Sequence, residues 1–402
     1  MKLEIPPPAE VDNKPAAWGA VFALSLGAFV LVASEFMPVS LLTPIAIELA
    51  VSEGQAGQAI GVSGAFALLT SLLIPVLAGR LDRKTLLLGL TLLMMASGTL
   101  AAFAPNYFLF MVGRALIGVA IGGFWSMSAA VAMRLVPLGQ LSRALAIVNG
   151  GNALATVVAA PLGSFLGGIV GWRGAFFCII PLAAIAFAWK FASLPPMPAP
   201  ARSAAGSANP FRLLKQPAVA FGMAASSFFF MGQFALFTYL RPFLERVTGV
   251  GVSTLSLLLL GLGLAGFAGT ILIGRFIKEG LYRTLVVIPA LMAVIAVALI
   301  AFGSSLAATA ILLAVWGLVG TAAPVGWWTW LAKTLPRDAE AGGGLMVAVV
   351  QLAIMLGAGA GGILFDAGGY RASFSMSAVL LLVAAGLAAL AGRADRSGRA
   401  AG

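Results

Sequence analysis

The chain has 402 residues, of which 61% are hydrophobic and only 9% charged, and its formal net charge is +11. A soluble domain is about a quarter charged, so composition all but excludes a soluble enzyme or binding module. The hydropathy is also far too high for a disordered chain, despite 49 glycines and 21 prolines. The solvent that fits is a bilayer, whose core takes a helix of about 20 apolar residues.

Residues 1–17 mix charges of both signs with prolines and read as a cytoplasmic tail. The apolar run that follows is too long for a signal-peptide core, so the first helix is expected to be retained. Spanning runs fall at about 18–41, 55–78, 86–104, 107–132, 144–169 and 174–194. A second set falls at about 218–241, 253–276, 284–303, 306–332, 343–365 and 372–392. Between the sets, residues 195–217 are rich in Pro, Ala and Ser and read as a cytoplasmic linker; a short amphipathic helix around Phe211–Leu214 is the alternative. Residues 393–402 form a second tail. The pattern predicts an all-α membrane protein of twelve transmembrane helices, in two pseudo-symmetric six-helix bundles at 18–194 and 218–392.

Charge orients the spans. Of the 24 basic residues, 19 fall on one side of the membrane, four on the other, and Arg114 inside a span. The positive-inside rule then assigns both termini to the cytoplasm. The same distribution explains the net charge without nucleic acid as a partner.

The two halves resemble each other. Gly79-Arg80 answers Gly274-Arg275, GGFWSM (122–127) answers VGWWTW (325–330), and GWRGAF (171–176) answers GYRASF (369–374). Parallel halves of six spans suit a secondary transporter with a site near the midplane. A channel is less natural for one chain without a ring of like subunits. No GxxxxGK[ST] phosphate loop exists, so ATP hydrolysis is not expected. The chain has no His and a single Cys, Cys178, so no metal site of the usual ligand types is expected.

Proton chemistry must therefore use carboxylates. Of the 13 acidic residues, Glu35 alone lies well inside a span, in LVASEFMPVSLLTP (31–44). An ionised residue there costs about 2.5–3.5 kcal/mol on insertion scales. Arg114 is the available partner. Glu35 lies about 6 residues before the outer end of its span and Arg114 about 7 after the outer start of its own, so each sits roughly 10 Å below the boundary at 1.5 Å per residue. Burial disfavours the ionised carboxylate and a guanidinium favours it, so a change in their distance moves a proton. The alternatives are a static pair holding two helices together and a Glu35 that snorkels to the outer interface.

Two further motifs carry conformational readings. GRLDRKTLLL (79–88) clusters Arg80, Asp82, Arg83 and Lys84 at a helix end: either plain positive-inside charge or a charge latch. APLGSFLG (160–167) holds Pro161 and Gly163: a kink with small residues for close packing, and with it a hinge.

These residues resemble signatures of the major facilitator superfamily. Its loop motif is matched by Gly79, Asp82 and Arg83, shortened to Lys84 alone in the basic tail. Arg114 in GRALIG, followed by Gly118, matches the family's fourth-helix arginine. APLGSFLG is similar to the fifth-helix signature of proton-driven antiporters, with Ala160 in place of the first Gly. The phrases EFMPVSLLTPIA, GGFWSMSAAVAMRLVP, APLGSFLGGIVGWRGAF, GQFALFTYLRPFLE and APVGWWTWLAK extend the likeness over nearly the whole chain, to the drug:proton antiporter branch and its exporters of purine ribonucleosides.

The resemblance implies a non-enzymatic antiporter in a bacterial inner membrane. It implies a central cavity lined by the first and fourth helices, among others, and a monomer with no cofactor, driven by the proton gradient. It implies a small-molecule cargo such as inosine or guanosine, exported by alternating access. Under it, Glu35 is the proton carrier and Arg114 its tuner. A nucleoside site needs an aromatic face and polar groups for base edges and ribose; candidates are Trp125, Asn149, Asn152, Gln233, Phe237, Tyr239 and Gln351. Trp327 and Trp328 are either part of an inner aromatic belt or turned to the cavity. Rival readings are an exporter of sugars or hydrophobic drugs and, from another class, a non-transporting receptor or sensor.

Overall fold

The computed structural model describes residues 16–77, 81–198, 210–336 and 338–400. Four helices open the chain: α1 (Trp18–Glu48), α2 (Glu53–Leu77), α3 (Arg83–Phe103) and α4 (Tyr107–Leu135). Among the described residues, nine helical stretches are long and apolar enough to cross a membrane. Three of these, of 51, 51 and 56 residues, are far longer than the bilayer needs.

Each doubled stretch is interrupted at a glycine, and contacts on either side show the chain turning back. The first is broken at Gly171, into α5 (141–170) and α6 (172–193). On the way out, the Ile147 carbonyl accepts from Ser25 Oγ, and Gly163 and Gly167 face Ser40 and Leu41. Past the break, Arg173 meets Glu48 at the far end of α1, and Lys190 and Ser193 lie beside Gly27 and Gly19. α7 is Pro217–Phe237. The second doubled stretch divides at Gly280 into α8 (252–279) and α9 (281–302). α10 comprises Leu306–Gly320 and Ala323–Thr334. The third divides at Gly369 into α11 (339–368) and α12 (370–400). There Gly357 and Gly361 pass Met231 and Ala235, and Ser373 and Ser377 then return to the carbonyls of Ala235 and Gly232. Cut at these turns, the nine stretches make twelve passes.

Gly171 and Gly369 have φ of 72° and 67°, the left-handed region. They occupy matching places in GWRGAF and GYRASF, so the sequence repeat is a repeated turn. Nothing lies within 4 Å of a Cβ built on either glycine. Gly369→Ala is therefore expected to cost about 1–3 kcal/mol from backbone strain alone, read as a lower unfolding temperature in detergent. Gly280→Ala should be near neutral, because its φ of −177° is ordinary extended backbone.

Apolar side chains build one core in each half and a third cluster between them, of Val39, Ile60, Phe234, Ile354 and Ala358. Large apolar residues also face outward, Phe108, Ile363 and Leu257 among them, as lipid contact requires and water does not tolerate over a wide surface.

The halves meet at one end. Hydrogen bonds and ion pairs between them join Ser40 to Arg241, Ser52 and Gly54 to Asp366, Glu53 to Arg246, Gln58 to Gly359, and Ser164 to Ser256. All lie toward the end that the charge bias assigns to the outside. The halves are thus joined on the predicted outer side.

Candidate functional site

α1 carries two prolines in its outer part, Pro38 and Pro44. A proline has no N–H for the carbonyl four residues back. Pro38 thus deprives the Ser34 carbonyl of its intrahelical donor, and Arg114 of α4 replaces it. Arg114 Nη1 donates to the Ser34 carbonyl at 2.8 Å, and Nη2 to the Glu35 carbonyl at 2.9 Å. Nε donates to the Ala59 carbonyl of α2 at 3.2 Å, and Nη2 also reaches Ser63 Oγ at 3.4 Å. One guanidinium, 1% exposed, ties α1, α2 and α4 together.

Glu35 is 5% exposed. Its carboxylate belongs to none of the ion pairs among the described residues, which join Glu48 to Arg173, Glu245 to Arg241 and Glu53 to Arg246. The structure therefore places the two sequence candidates side by side, but through α1 carbonyls rather than through a carboxylate–guanidinium bridge. The guanidinium's donors are taken up by backbone oxygens that α1 and α2 present to it. A buried carboxylate beside a cation, without a bidentate partner, can exchange a proton without first breaking an ion pair. Next to it, Phe36 stacks on Phe234 of the other half at 5.7 Å, so Glu35 borders a contact between the halves.

α1 runs to Glu48, seven residues past the end expected from hydropathy, so Glu35 is not near its terminus. Pro44 does not stop the helix, because the carbonyl it empties, Ser40, accepts from Arg241 of the other half.

The cargo candidates divide. Tyr239 is fully buried, stacked on Phe365 at 5.0 Å with its hydroxyl donating to the Ala358 carbonyl at 2.7 Å. Trp327 is 2% exposed and packs against Phe229 and Trp330. Both are core groups in this conformation, with no free face for a base. Trp328 is exposed, and Trp125 and Phe237 are half-buried with one edge against Phe124 and Phe234 respectively. Asn149 is exposed and donates to the Leu145 carbonyl of its own helix; Asn152 is half-buried. Gln233 and Gln351 each hold a buried amide oxygen without a hydrogen-bond partner, which calls for an explanation.

Of the loop motif, Gly79 and Arg80 lie outside the described residues. Asp82 caps α3, accepting from Lys84 N at 2.8 Å and Thr85 N at 3.2 Å, and also accepts from Met197 N at 2.6 Å. Arg83 N donates to the Met197 carbonyl at 2.9 Å. Every one of these partners belongs to the first half, so these contacts build no latch between halves in this conformation. Pro161 empties the Val157 carbonyl, and Gly263 of α8 packs against that oxygen. Gly163 packs against Ser40. The fifth-helix motif thus lets α5 approach both α8 and α1.

Two buried cations are not singled out by the sequence, where Lys190 counts with the inner-side charges and Arg241 with the outer-side ones. Lys190 is 2% exposed inside the first bundle; its Nζ donates to Thr91 Oγ1 at 2.9 Å and lies 5.5 Å from the Phe124 ring centre. A lysine alone in AFAWKFA, with no second charge beside it, was the available signal. Arg241 is 6% exposed between the halves; the signal was Pro44, a second carbonyl in α1 in need of a donor.

A bundle of twelve passes among the described residues, in two like halves joined at one end beside a buried carboxylate, defines the class as a membrane transporter fold. The family profile described as Major Facilitator Superfamily matches residues 24–347, and the chain belongs to that superfamily. It is 60% identical over 387 residues, 96% of each chain, to the "Transcription regulatory protein OpdE" of Pseudomonas aeruginosa. It is 40% identical over 368 residues, 92% of each chain, to the "Purine ribonucleoside efflux pump NepI" of Salmonella typhimurium. Among solved structures it is similar to a D-xylose-proton symporter, with a TM-score of 0.78 at 14% identity over 93% of this chain and 97% of that one. It is also similar to an inward-facing bacterial homolog of the human lysosomal transporter Spinster, with a TM-score of 0.75 at 17% identity over 95% and 98%. At such identities the structural likeness is one of fold.

Proposed function

We propose that this protein exports purine ribonucleosides from the cytoplasm in exchange for protons, by alternating access, as a monomer in a bacterial inner membrane with both termini inside. The observation that carries the reading is the 40% identity along 92% of each chain to a protein named as a purine ribonucleoside efflux pump. The site is compatible with it. Glu35 takes the proton, Arg114 holds α1 around it, and the proton gradient is the energy source, with no cofactor. The unpartnered amide oxygens of Gln233 and Gln351 suit purine or ribose donors, and Trp125, Phe237 and Trp328 offer ring faces. Asn149 and Asn152 are further polar contacts.

The test is transport into inverted vesicles or proteoliposomes under a pH gradient. Labelled inosine and guanosine are expected to accumulate and to leak away when a protonophore is added. Accumulation of sugars or dyes but no nucleoside would overturn the cargo and leave the antiporter.

One observation favours a second reading, a membrane-embedded regulator: the 60% identical relative is named a transcription regulatory protein. That reading expects ligand binding without gradient-driven accumulation, and altered gene expression in a strain carrying the uncoupled Glu35→Gln chain indistinguishable from that with the wild type.

A further inference from the structure

Ser40 sits where three helices from both halves converge. Pro44 leaves its carbonyl without an intrahelical donor. Gly163 of α5 packs against its side chain. Arg241, from the segment after α7, donates Nη1 to that carbonyl and pairs through Nε with Glu245 Oε1 at 2.7 Å. Arg241 reaches this point because the chain leaves α7 at Phe237 and restarts as the short helix Leu240–Phe243. A buried carbonyl without a partner is costly, and here the missing donor comes from the opposite half.

We propose that Arg241 is a positioning residue of the transport cycle: it completes the proline-broken outer third of α1 only in the outward-closed state, and so sets the balance between the two access states. When the outer ends part, water reaches the Ser40 carbonyl and Glu245 keeps the guanidinium's charge compensated within its own half. The bond therefore favours one state alone, and a contact of that kind shifts the equilibrium by its full worth. A charge-assisted hydrogen bond is worth roughly 10- to 100-fold in such an equilibrium.

The inference rests on the alternating-access reading, and its test uses no cargo and no gradient, so a failure of the nucleoside assignment leaves it standing. Spin labels at Pro105→Cys and Ser304→Cys, on outer loops of opposite halves, report the outer opening in a Cys178→Ser chain reconstituted in bilayers. Arg241→Met is expected to raise the population of long outer distances about tenfold or more. Pro44→Ala restores the helical N–H for the Ser40 carbonyl, so in that background Arg241→Met should move the distribution several-fold less, a coupling read by the double-mutant cycle. Arg241→Lys, which keeps the charge and loses the fork, serves the same cycle if the methionine variant does not fold. An unchanged distribution in Arg241→Met, or an equal shift with and without Pro44, overturns the proposal.

Discussion

Arg114→Met is expected to abolish gradient-driven transport and to destabilise the first half. The guanidinium satisfies carbonyls on two neighbouring helices, and the Ser34 carbonyl has no other donor because Pro38 follows four residues later. Leaving that one buried carbonyl unsatisfied costs about 1–3 kcal/mol, before the loss of the bonds to Glu35 and Ala59. Arg114→Lys keeps the charge but cannot span several acceptors at once, so it should fail nearly as badly. The informative control is Pro38→Ala in the Arg114→Met chain. Restoring the N–H should return part of the lost thermal stability in detergent and none of the proton-driven accumulation, because the cation beside Glu35 is still missing. Recovery of transport by Pro38→Ala would reduce Arg114 to a helix-repair device.

Glu35→Gln has the second large effect. One pH unit is worth 1.36 kcal/mol, a factor of ten, so an exchanger moving one proton per cargo sustains about 100-fold accumulation at a gradient of two units. Without a titrating group at position 35, accumulation should fall to about onefold, with exchange of labelled for unlabelled cargo preserved. Loss of exchange together with accumulation would point to a structural carboxylate, not a coupling one.

Much of this was legible in the sequence, for identifiable reasons. The spans follow from hydropathy, because the bilayer demands about 20 apolar residues. The repeat in GWRGAF and GYRASF marks two turns that both need a glycine of positive φ. Glu35 stood out because a lone acid in a span has few structural uses. The proximity of Glu35 and Arg114 could be anticipated from their places in the spans, but not its form: hydropathy says nothing of a carbonyl emptied by Pro38. For the same reason α1 was read as ending near residue 41, where the structure carries it to Glu48. Arg241 and Lys190 fall at or near the ends of the expected spans 218–241 and 174–194 and count with the charges of the outer and inner sides, because hydropathy does not separate a basic residue that reaches the interface from one buried in the bundle. Tyr239 and Trp327 were offered as ring faces because an aromatic side chain at cavity depth looks the same in sequence whether it faces the channel or the core.

The central claim is that Glu35 carries the proton exchanged for cargo and gives it up when cargo binds. It is tested most directly by adding a nucleoside to purified protein in weakly buffered detergent solution and recording the proton change with a pH indicator. The account predicts proton release on binding of inosine or guanosine by the wild type, and binding without release by Glu35→Gln. Equal release by both proteins, or binding by the wild type with no release at any pH from 5 to 9, would contradict it.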